Sequence, residues 1–174
     1  MLAESERPLI YAGGGVINAN AAKSMRRLAS EYGIPVTTTL MALGASDTQH
    51  PLALHMLGMH GLASANYAVE DCDFLIAIGA RFDDRVAGDP GGFAPNARRI
   101  AHFDVDSAEI GKVKRVDWHH VGLLDRDLTE LLDYGRRIEF HKDFDEWHAE
   151  IAHLEQELWK RAHQAREITK RAHR

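Results

Sequence analysis

The stretch "FLIAIGARFDDRVAG", residues 74–88, joins a run of apolar residues to an abrupt charged end. Its first five residues, Phe74 to Ile78, carry no polar side chain, which is typical of a strand covered on both faces of a parallel sheet. Four charged residues then surround Phe82: Arg81, Asp83, Asp84 and Arg85. The carboxyl ends of such strands form the ligand crevice of open α/β sheets, so this end predicts a binding site. A solvated turn with weak ion pairs would have the same composition, and the residues alone leave both interpretations open.

The segments before this stretch predict a β-α-β unit. "PLIYAGGG", residues 8–15, is typical of a buried strand that ends in a glycine turn. Residues 17–33 have apolar side chains at helical spacing, and Asn18 or Asn20 is a candidate N-cap. Residues 34–40 are short and β-branched, which favours a second strand. A strand, a helix and a strand in this order begin a parallel sheet.

The remaining segments continue this alternation. Residues 41–61 have no clean period and predict a long functional loop with room for a helical turn. We predict helices over 62–72 and 125–137, strands over 73–80, 99–105 and 116–122, and a short helix from 107. The predicted fold class is α/β: a Rossmann-like parallel sheet with helices on both faces, over residues 1–137. Residues 138–174 predict an amphipathic helical tail, whose apolar stripe fades beyond Trp159 into a solvated end.

The composition argues against several classes of function. The net charge is 21 − 26 = −5, whereas nucleic acid binding requires clustered positive charge, so we expect no nucleic acid partner. The single cysteine, Cys72, excludes an internal disulfide and predicts a reducing, cytoplasmic location. We expect no membrane partner, because the start of the chain lacks a signal-peptide pattern and no apolar run could cross a bilayer. The spacing of the eleven histidines matches no metal-binding pattern, and we predict no metal site in this chain.

Three segments carry candidate ligand contacts. Gly13 and Gly15 would let backbone N–H groups approach a phosphate, although Asn18 replaces the third glycine of a dinucleotide fingerprint. A merely tight turn would use the same glycines. Asp104 ends a predicted strand, where a carboxylate can accept the hydroxyls of a ribose. His60, within "LHMLGMHG", could stack on a flat ring, although methionine and histidine there would also suit a core or surface position.

These segments together resemble one family, acetohydroxyacid synthase. The similarity is to the central domain of its large catalytic subunit, also called acetolactate synthase, a thiamine-diphosphate enzyme related to pyruvate decarboxylase. The segments that carry it are "RPLIYAGGGV" (7–16), "VTTTLMALGA" (36–45), "HPLALHMLGMHGLASANYAVEDCDFLIAIGARFDDRVAG" (50–88) and "HFDVDSAEIGK" (102–112). The pattern of "GMHG", "AN" and "GARFDDRV" is long and far more specific than a glycine motif.

The resemblance implies that this domain binds FAD, which has no redox part in the family's main reaction. The positions that match FAD contacts are Gly13, Gly14, Gly15, Thr39, Leu40, Met41, Leu57, Gly58, Met59, His60, Gly79, Ala80, Arg81, Asp84, Arg85, Val86, Asp104 and Val105. The resemblance also implies that Arg85 holds the carboxylate of a 2-ketoacid substrate. Met59, His60, Asp84 and Arg85 match positions that line an inhibitor channel. The family's Gly-Asp contact after the last strand is replaced here by "VGLLDRDL", with Asp125 as a weak substitute.

The resemblance further implies a parent enzyme that condenses two 2-ketoacids, pyruvate with pyruvate or 2-ketobutyrate, in branched-chain amino-acid biosynthesis. The family's thiamine-diphosphate and Mg²⁺ sites belong to N- and C-terminal domains whose motifs are missing from these 174 residues. We therefore expect the isolated chain to be an excised or truncated piece without synthase activity. The expected partners are those domains, a second copy in a homodimer or higher oligomer, and a regulatory subunit. The alternative is a nucleotide-binding or oligomerisation module of another thiamine-diphosphate decarboxylase or oxidase.

Overall fold

The fold is a six-stranded parallel sheet. A computed structural model describes the backbone of residues 1–172 and the side chains of residues 1–165. The strands are β1 (Pro8–Ala12), β2 (Val36–Thr38), β3 (Ala53–Met56), β4 (Phe74–Ile78), β5 (Arg99–Asp104) and β6 (Trp118–Val121). The helices are α1 (Gly15–Asn18), α2 (Ala22–Tyr32), α3 (Ala63–Asp71), α4 (Leu124–Arg137) and α5 (Asp145–Ala172). Among the described residues, no helix is long and apolar enough to span a membrane.

The strand order places helices on both faces of the sheet. The order is β3-β2-β1-β4-β5-β6, and every pairing is parallel. The chain moves outward in one direction from β1 to β3 and then crosses back over to β4, so the two halves wind in opposite senses. Because such crossovers are right-handed, this reversal of direction puts helices on both faces of the sheet. The helices form two separate pairs: α2 packs against α4, and α3 packs against α5. The predicted α/β fold is confirmed.

The two central strands are buried along their whole length. All five residues of β1 and all five of β4 are buried, as the apolar run of residues 74–78 predicts. Tyr11 on β1, Ala77 on β4 and His102 on β5 lie opposite one another in register, and they project from the same face. The edge strand β6 is exposed at all four of its positions, so the apolar core is centred on β1 and β4.

The switch point of the sheet lies between β1 and β4, where two glycine turns touch. The Gly13 amide donates to the Ile78 carbonyl at 2.9 Å, and the Gly15 amide donates to the Gly79 carbonyl at 3.0 Å. A Cβ atom on Gly13 would overlap the Gly79 carbonyl oxygen, and one on Gly15 would lie 2.7 Å from Gly79 Cα. Glycine is therefore required at these positions because the two backbones approach too closely for any side chain.

Two predictions about local structure were wrong. Residues 17–33 form the end of α1 and then α2, interrupted by Asn20 in a left-handed conformation with φ 54°. Neither asparagine caps α2: the N-cap position is Ala21, and no side chain bonds there. The predicted loop over 41–61 contains the edge strand β3, which was missed because it is four residues long and has an irregular register with β2.

The tail begins as part of the core. Phe144, Trp147 and Ile151 are buried, and the indole N–H of Trp147 donates to the Pro8 carbonyl at 3.1 Å. Trp159 is exposed, as are the described side chains that follow it through residue 165. The predicted solvated end therefore agrees with the structure that far, and the remainder of that prediction, at residues 166–174, concerns side chains outside the described residues. The division into a domain over 1–137 and a tail over 138–174 stays a prediction.

Substituting Gly13 with alanine tests the contact between the two glycine turns. The added Cβ must displace the backbone of the turn after β4, so we expect Gly13→Ala to lower the free energy of unfolding by about 1–3 kcal/mol. Chemical denaturation of the purified chain measures this free energy. Gly91→Ala is the matched control, because its Cβ would meet only a side-chain oxygen of Asp89 at 3.3 Å. Equal stability of the two variants would contradict the contact.

Candidate functional site

The predicted ligand contacts all follow the carboxyl ends of the strands. Gly13, Gly14 and Gly15 come after β1, and Thr39, Leu40 and Met41 after β2; Leu57, Gly58, Met59 and His60 come after β3, and Gly79, Ala80 and Arg81 after β4; Asp84, Arg85 and Val86 lie further along that connection, and Asp104 ends β5 with Val105 behind it. We call this set the carboxyl rim. Because all the strands are parallel, it runs along one edge of the sheet, which includes the switch point.

Long apolar side chains of the rim point into solvent. Met59 is 82% exposed and Met41 is 73% exposed, and Leu40 and Val105 are also exposed. Apolar side chains exposed together at one edge of a sheet are typical of ligand or protein contacts. Leu57 and Ala80 are instead buried beneath the rim and support it from the core.

The glycine turn offers fewer free amides than its sequence predicts. The amides of Gly13 and Gly15 bind the carbonyls of Ile78 and Gly79, so these two glycines serve the close approach of the two turns. Within the described residues, the Gly14 amide has no such backbone partner, and the buried hydroxyl of Thr39 has no hydrogen-bond partner. Gly14 therefore presents an unused N–H donor after β1, and Thr39 presents an unused hydroxyl after β2.

Phe82 is a buried anchor within the charged segment. Its side chain is only 1% exposed, and its backbone adopts the left-handed conformation with φ 55°. The ring centroid lies 5.4 Å from that of Tyr11, 5.9 Å from that of Phe93 and 5.3 Å from that of His102. The strain of a left-handed aromatic residue is offset by burial of the ring, and this arrangement turns the neighbouring charged residues outward.

The charged residues form a short turn around this anchor. An Asp83 carboxylate oxygen accepts from the Arg85 amide at 3.3 Å, and the Asp83 carbonyl accepts from the amides of Val86 and Ala87. The guanidinium of Arg81 lies 3.6 Å from the other Asp83 carboxylate oxygen. The Asp84 side chain and the Arg85 amide lower the pKa of Asp83, so Asp83 is a carboxylate at neutral pH. Local ion pairs therefore shape this turn, and Arg85 remains exposed. The binding-site interpretation of the turn stays a prediction.

Arg85 lines a cleft beside the rim. The cleft has a volume of about 550 Å³ and lies between the turns after β3 and β4 and the helix α3. Gly58, Met59, Asp84 and Arg85 line it on the rim side. Asn66 also lines it, a residue whose motif was noted in the sequence but to which no role was assigned. The sequence signal for Asn66 was its place in "GMHGLASAN", where a side-chain amide in the following helix comes shortly after a glycine turn.

Asp104 and His102 form a buried pair beneath the rim. Asp104 is buried and accepts from the Asp106 amide at 2.9 Å, and its second oxygen lies 3.8 Å from His102 Nε2. His102 is fully buried, and neither ring nitrogen has a hydrogen-bond partner among the described residues. Burial lowers the pKa of His102 below its usual value, and the Asp104 carboxylate opposes this shift. Among the described residues, the second carboxylate oxygen of Asp104 thus has no hydrogen bond at the end of β5.

The segment after β6 lacks the Gly-Asp contact of the family that the sequence resembles. Asp125, the weak substitute for the missing acidic contact, accepts from the Ser24 hydroxyl at 2.5 Å and so connects α4 to α2. Asp127 lies against Gly122 instead, and one of its oxygens is 3.3 Å from His120 Nε2. The sequence could not separate the two aspartates, because both fall in the first turn of α4.

A second cavity lies away from the rim. It has a volume of about 250 Å³ and is lined by residues of α2, by His50 and Leu52, and by the first residues of β2 and β3. It therefore opens at the amino ends of the strands, where an open α/β sheet does not usually bind its ligand. In the part of the chain that the structure describes, no group of three or more His, Cys, Asp or Glu side chains is arranged to hold a metal ion.

The fold and the rim define a class of protein. A parallel sheet in this strand order, with a switch point between β1 and β4, is a Rossmann-like α/β domain. A family model described as "Thiamine pyrophosphate enzyme, central domain" matches residues 1–131. The chain belongs to this family of thiamine pyrophosphate enzyme central domains.

Individual relatives are large subunits of acetolactate synthase. The chain is 52% identical over 154 residues to a probable acetolactate synthase large subunit of Methanocaldococcus jannaschii, covering 88% of this chain and 26% of that protein. It is 51% identical over 133 residues to the acetolactate synthase large subunit of Parasynechococcus marenigrum, covering 76% and 21%. It is 45% identical over 158 residues to the isozyme 1 large subunit of Escherichia coli, covering 91% and 27%. The chain thus spans about a quarter of the length of these relatives.

Removing the aromatic anchor should loosen the charged turn. Phe82→Ala leaves a cavity between Tyr11, Phe93 and His102, so we expect the free energy of unfolding to fall by about 3–5 kcal/mol. Phe82→Leu keeps most of the apolar volume and should lose less. Denaturant titration of the two variants beside the wild-type chain measures the difference. A Phe82→Ala chain as stable as the wild type would show that the ring is not an anchor.

The buried His102 should make stability depend on pH. Because the folded-state pKa lies below the unfolded value of 6.5, the unfolded chain takes up this proton first as pH falls. The contribution is constant above about pH 6.5, and stability falls as the pH drops from there towards the folded-state pKa. We expect His102→Leu to lose less stability than the wild type between pH 7 and pH 5, measured by denaturation at each pH. Parallel losses in the two proteins would contradict this.

Proposed function

We propose that the chain is the FAD-binding central domain of an acetolactate synthase large subunit. The observation that carries the proposal is the placement of all eighteen family-matching positions on one carboxyl rim around the switch point. The similarity of this chain to acetolactate synthase large subunits over three quarters or more of its length supports the same choice. The alternative nucleotide module would use the same rim, and competition between FAD and its halves separates the two.

The free groups of the rim fit an extended dinucleotide. The Gly14 amide and the Arg81 guanidinium are donors suited to phosphate oxygens, and the second Asp104 oxygen can accept a ribose hydroxyl. The Thr39 hydroxyl and the exposed Met41 and Met59 side chains supply polar and apolar contacts along the same edge. In the family that the chain resembles, FAD has no redox part in the main reaction, so we propose that it completes the structure of the site.

Arg85 is the proposed contact for the substrate. Its exposed guanidinium lines the 550 Å³ cleft, and a guanidinium fork suits the carboxylate of a 2-ketoacid. The whole enzyme would condense pyruvate with a second 2-ketoacid in branched-chain amino-acid biosynthesis. We propose that thiamine diphosphate and Mg²⁺ bind to parts of that enzyme outside these 174 residues. A cytoplasmic location, a homodimer or higher oligomer, and a regulatory subunit belong to the same proposal.

Titration of the chain with FAD tests this function. We expect saturable binding, measured by the change in flavin fluorescence. In Arg81→Ala the free energy of FAD binding should weaken by about 1.5–3 kcal/mol, because a charge-assisted contact is removed. Arg137→Ala is the matched control, because it removes an exposed arginine at the C-terminal end of α4, away from the rim. Absence of saturable FAD binding, or equal losses in the two variants, would contradict the proposal.

Competition identifies the nucleotide. Titrations with FMN and ADP, each against bound FAD, show whether the rim recognises the whole dinucleotide. We expect FAD to bind more tightly than either half, because the residues that fit it extend along the edge of the sheet from β3 to β5. ADP binding as tightly as FAD would favour the alternative adenine-nucleotide module of another thiamine-diphosphate enzyme.

A further inference from the structure

A single side chain holds the turn after β3 by binding both the amide and the carbonyl of one residue. Asn66 on α3 accepts from the Gly58 amide through Oδ1 at 2.8 Å and donates from Nδ2 to the Gly58 carbonyl at 3.1 Å. The Gly58 carbonyl also accepts from the Gly61 amide at 2.9 Å. Both backbone groups of Gly58 are thereby bonded, in a turn that forms part of the carboxyl rim.

Gly58 in turn supports the backbone of Arg85. Its φ is +95°, a conformation that side chains rarely allow. A Cβ atom on Gly58 would lie 3.1 Å from the Arg85 carbonyl oxygen and 3.5 Å from Val86 Cγ2. The turn after β3 and the charged turn after β4 therefore lie too close together for a side chain between them, and we expect a displacement of Gly58 to disturb the packing of the Arg85 peptide.

Other contacts on Arg85 come from its own turn. Asp83 binds the Arg85 amide through an exposed carboxylate, and an exposed contact of this kind holds a residue weakly. Asn66 is half-buried and lines the same cleft as Arg85, so its two hydrogen bonds are shielded from solvent on one side. The clamp on Gly58 is thus the support for Arg85 that comes from a regular element, α3.

We propose that Asn66 is a positioning residue for the ligand site: it holds Gly58 against the Arg85–Val86 backbone and so keeps Arg85 facing the cleft. This role rests on the proposed FAD-binding function of the carboxyl rim, to which Gly58 and Arg85 both belong. A side chain with a donor and an acceptor on adjacent atoms is needed, which an amide supplies. Aspartate at this position would keep the acceptor for the Gly58 amide but lose the donor, and its charge would face the Gly58 carbonyl.

Amide hydrogen exchange tests the mechanical part without any ligand. In Asn66→Ala and Asn66→Asp we expect faster exchange in two segments, residues 57–61 and residues 84–88, with β1 and β4 unchanged. Asn96→Ala is the matched control, an exposed asparagine outside the cleft, and it should leave both segments unchanged. If Asn66→Ala fails to fold, Asn66→Asp still gives the result. Exchange that rises only in residues 57–61 would overturn the proposal.

FAD affinity tests the functional part. At equal folded fraction we expect Asn66→Asp to weaken FAD binding by about tenfold, the effect of one lost net hydrogen bond, and Asn96→Ala to bind like the wild type. If the wild-type chain binds FAD and Asn66→Asp binds it with the same affinity, the positioning role is overturned while the proposed function stands. If the wild-type chain itself does not bind FAD, the proposed function fails, and the exchange experiment alone decides whether Asn66 positions Arg85.

Discussion

The backbone contact between the turns after β1 and β4 is the constraint on which the site depends. Gly13 and Gly15 donate to carbonyls of Ile78 and Gly79, and the absence of side chains lets these turns touch. This contact closes the sheet at its switch point, which brings the connection carrying Arg81 and Arg85 beside the glycine turn. Without it, the rim would be a series of separate loops rather than one edge.

The second constraint is the division between buried and exposed residues in the charged turn. Phe82 enters the core between Tyr11 and His102, above Ala77 of β4, while its neighbours on both sides remain in solvent. Apolar burial of one ring supplies the stability, and the charged residues around it are left available for recognition. The same division occurs after β3, where buried Leu57 precedes Gly58 and exposed Met59. In both turns, a side chain buried in the core and backbone contacts with neighbouring segments together fix the position of the exposed residues.

Much of the fold could be predicted because its signals are local. The apolar run of residues 74–78 predicts a buried strand, and the left-handed Gly33 that ends α2 is a residue typical of helix ends. The edge strand β3 could not be predicted, because four residues with an irregular register carry no clear period. The N-cap of α2 was missed because Asn20 adopts a left-handed conformation just before the helix, which leaves the N-cap position to Ala21.

The candidate site shows the same division between local and tertiary signals. The sequence and its family resemblance indicated the rim residues, because motifs at strand ends are contiguous in the chain. They did not indicate that Gly13 and Gly15 use their amides internally, that Phe82 is an anchor, or that Asn66 clamps Gly58. Each of these depends on a contact between segments that only folding brings together. Nor did they indicate that Asp125, the weak substitute for the missing contact, accepts a hydrogen bond from Ser24 on another helix.

The most direct measurement is a map of amide chemical shifts during titration of the ¹⁵N-labelled chain with FAD. The account predicts perturbations that follow the carboxyl rim, at Gly14, Thr39, Gly58, Arg81 and Val105, with little change at the amino ends of the strands. Perturbations centred instead on the cavity beside His50 and Leu52 would contradict the account, because they would place the ligand at the opposite end of the sheet.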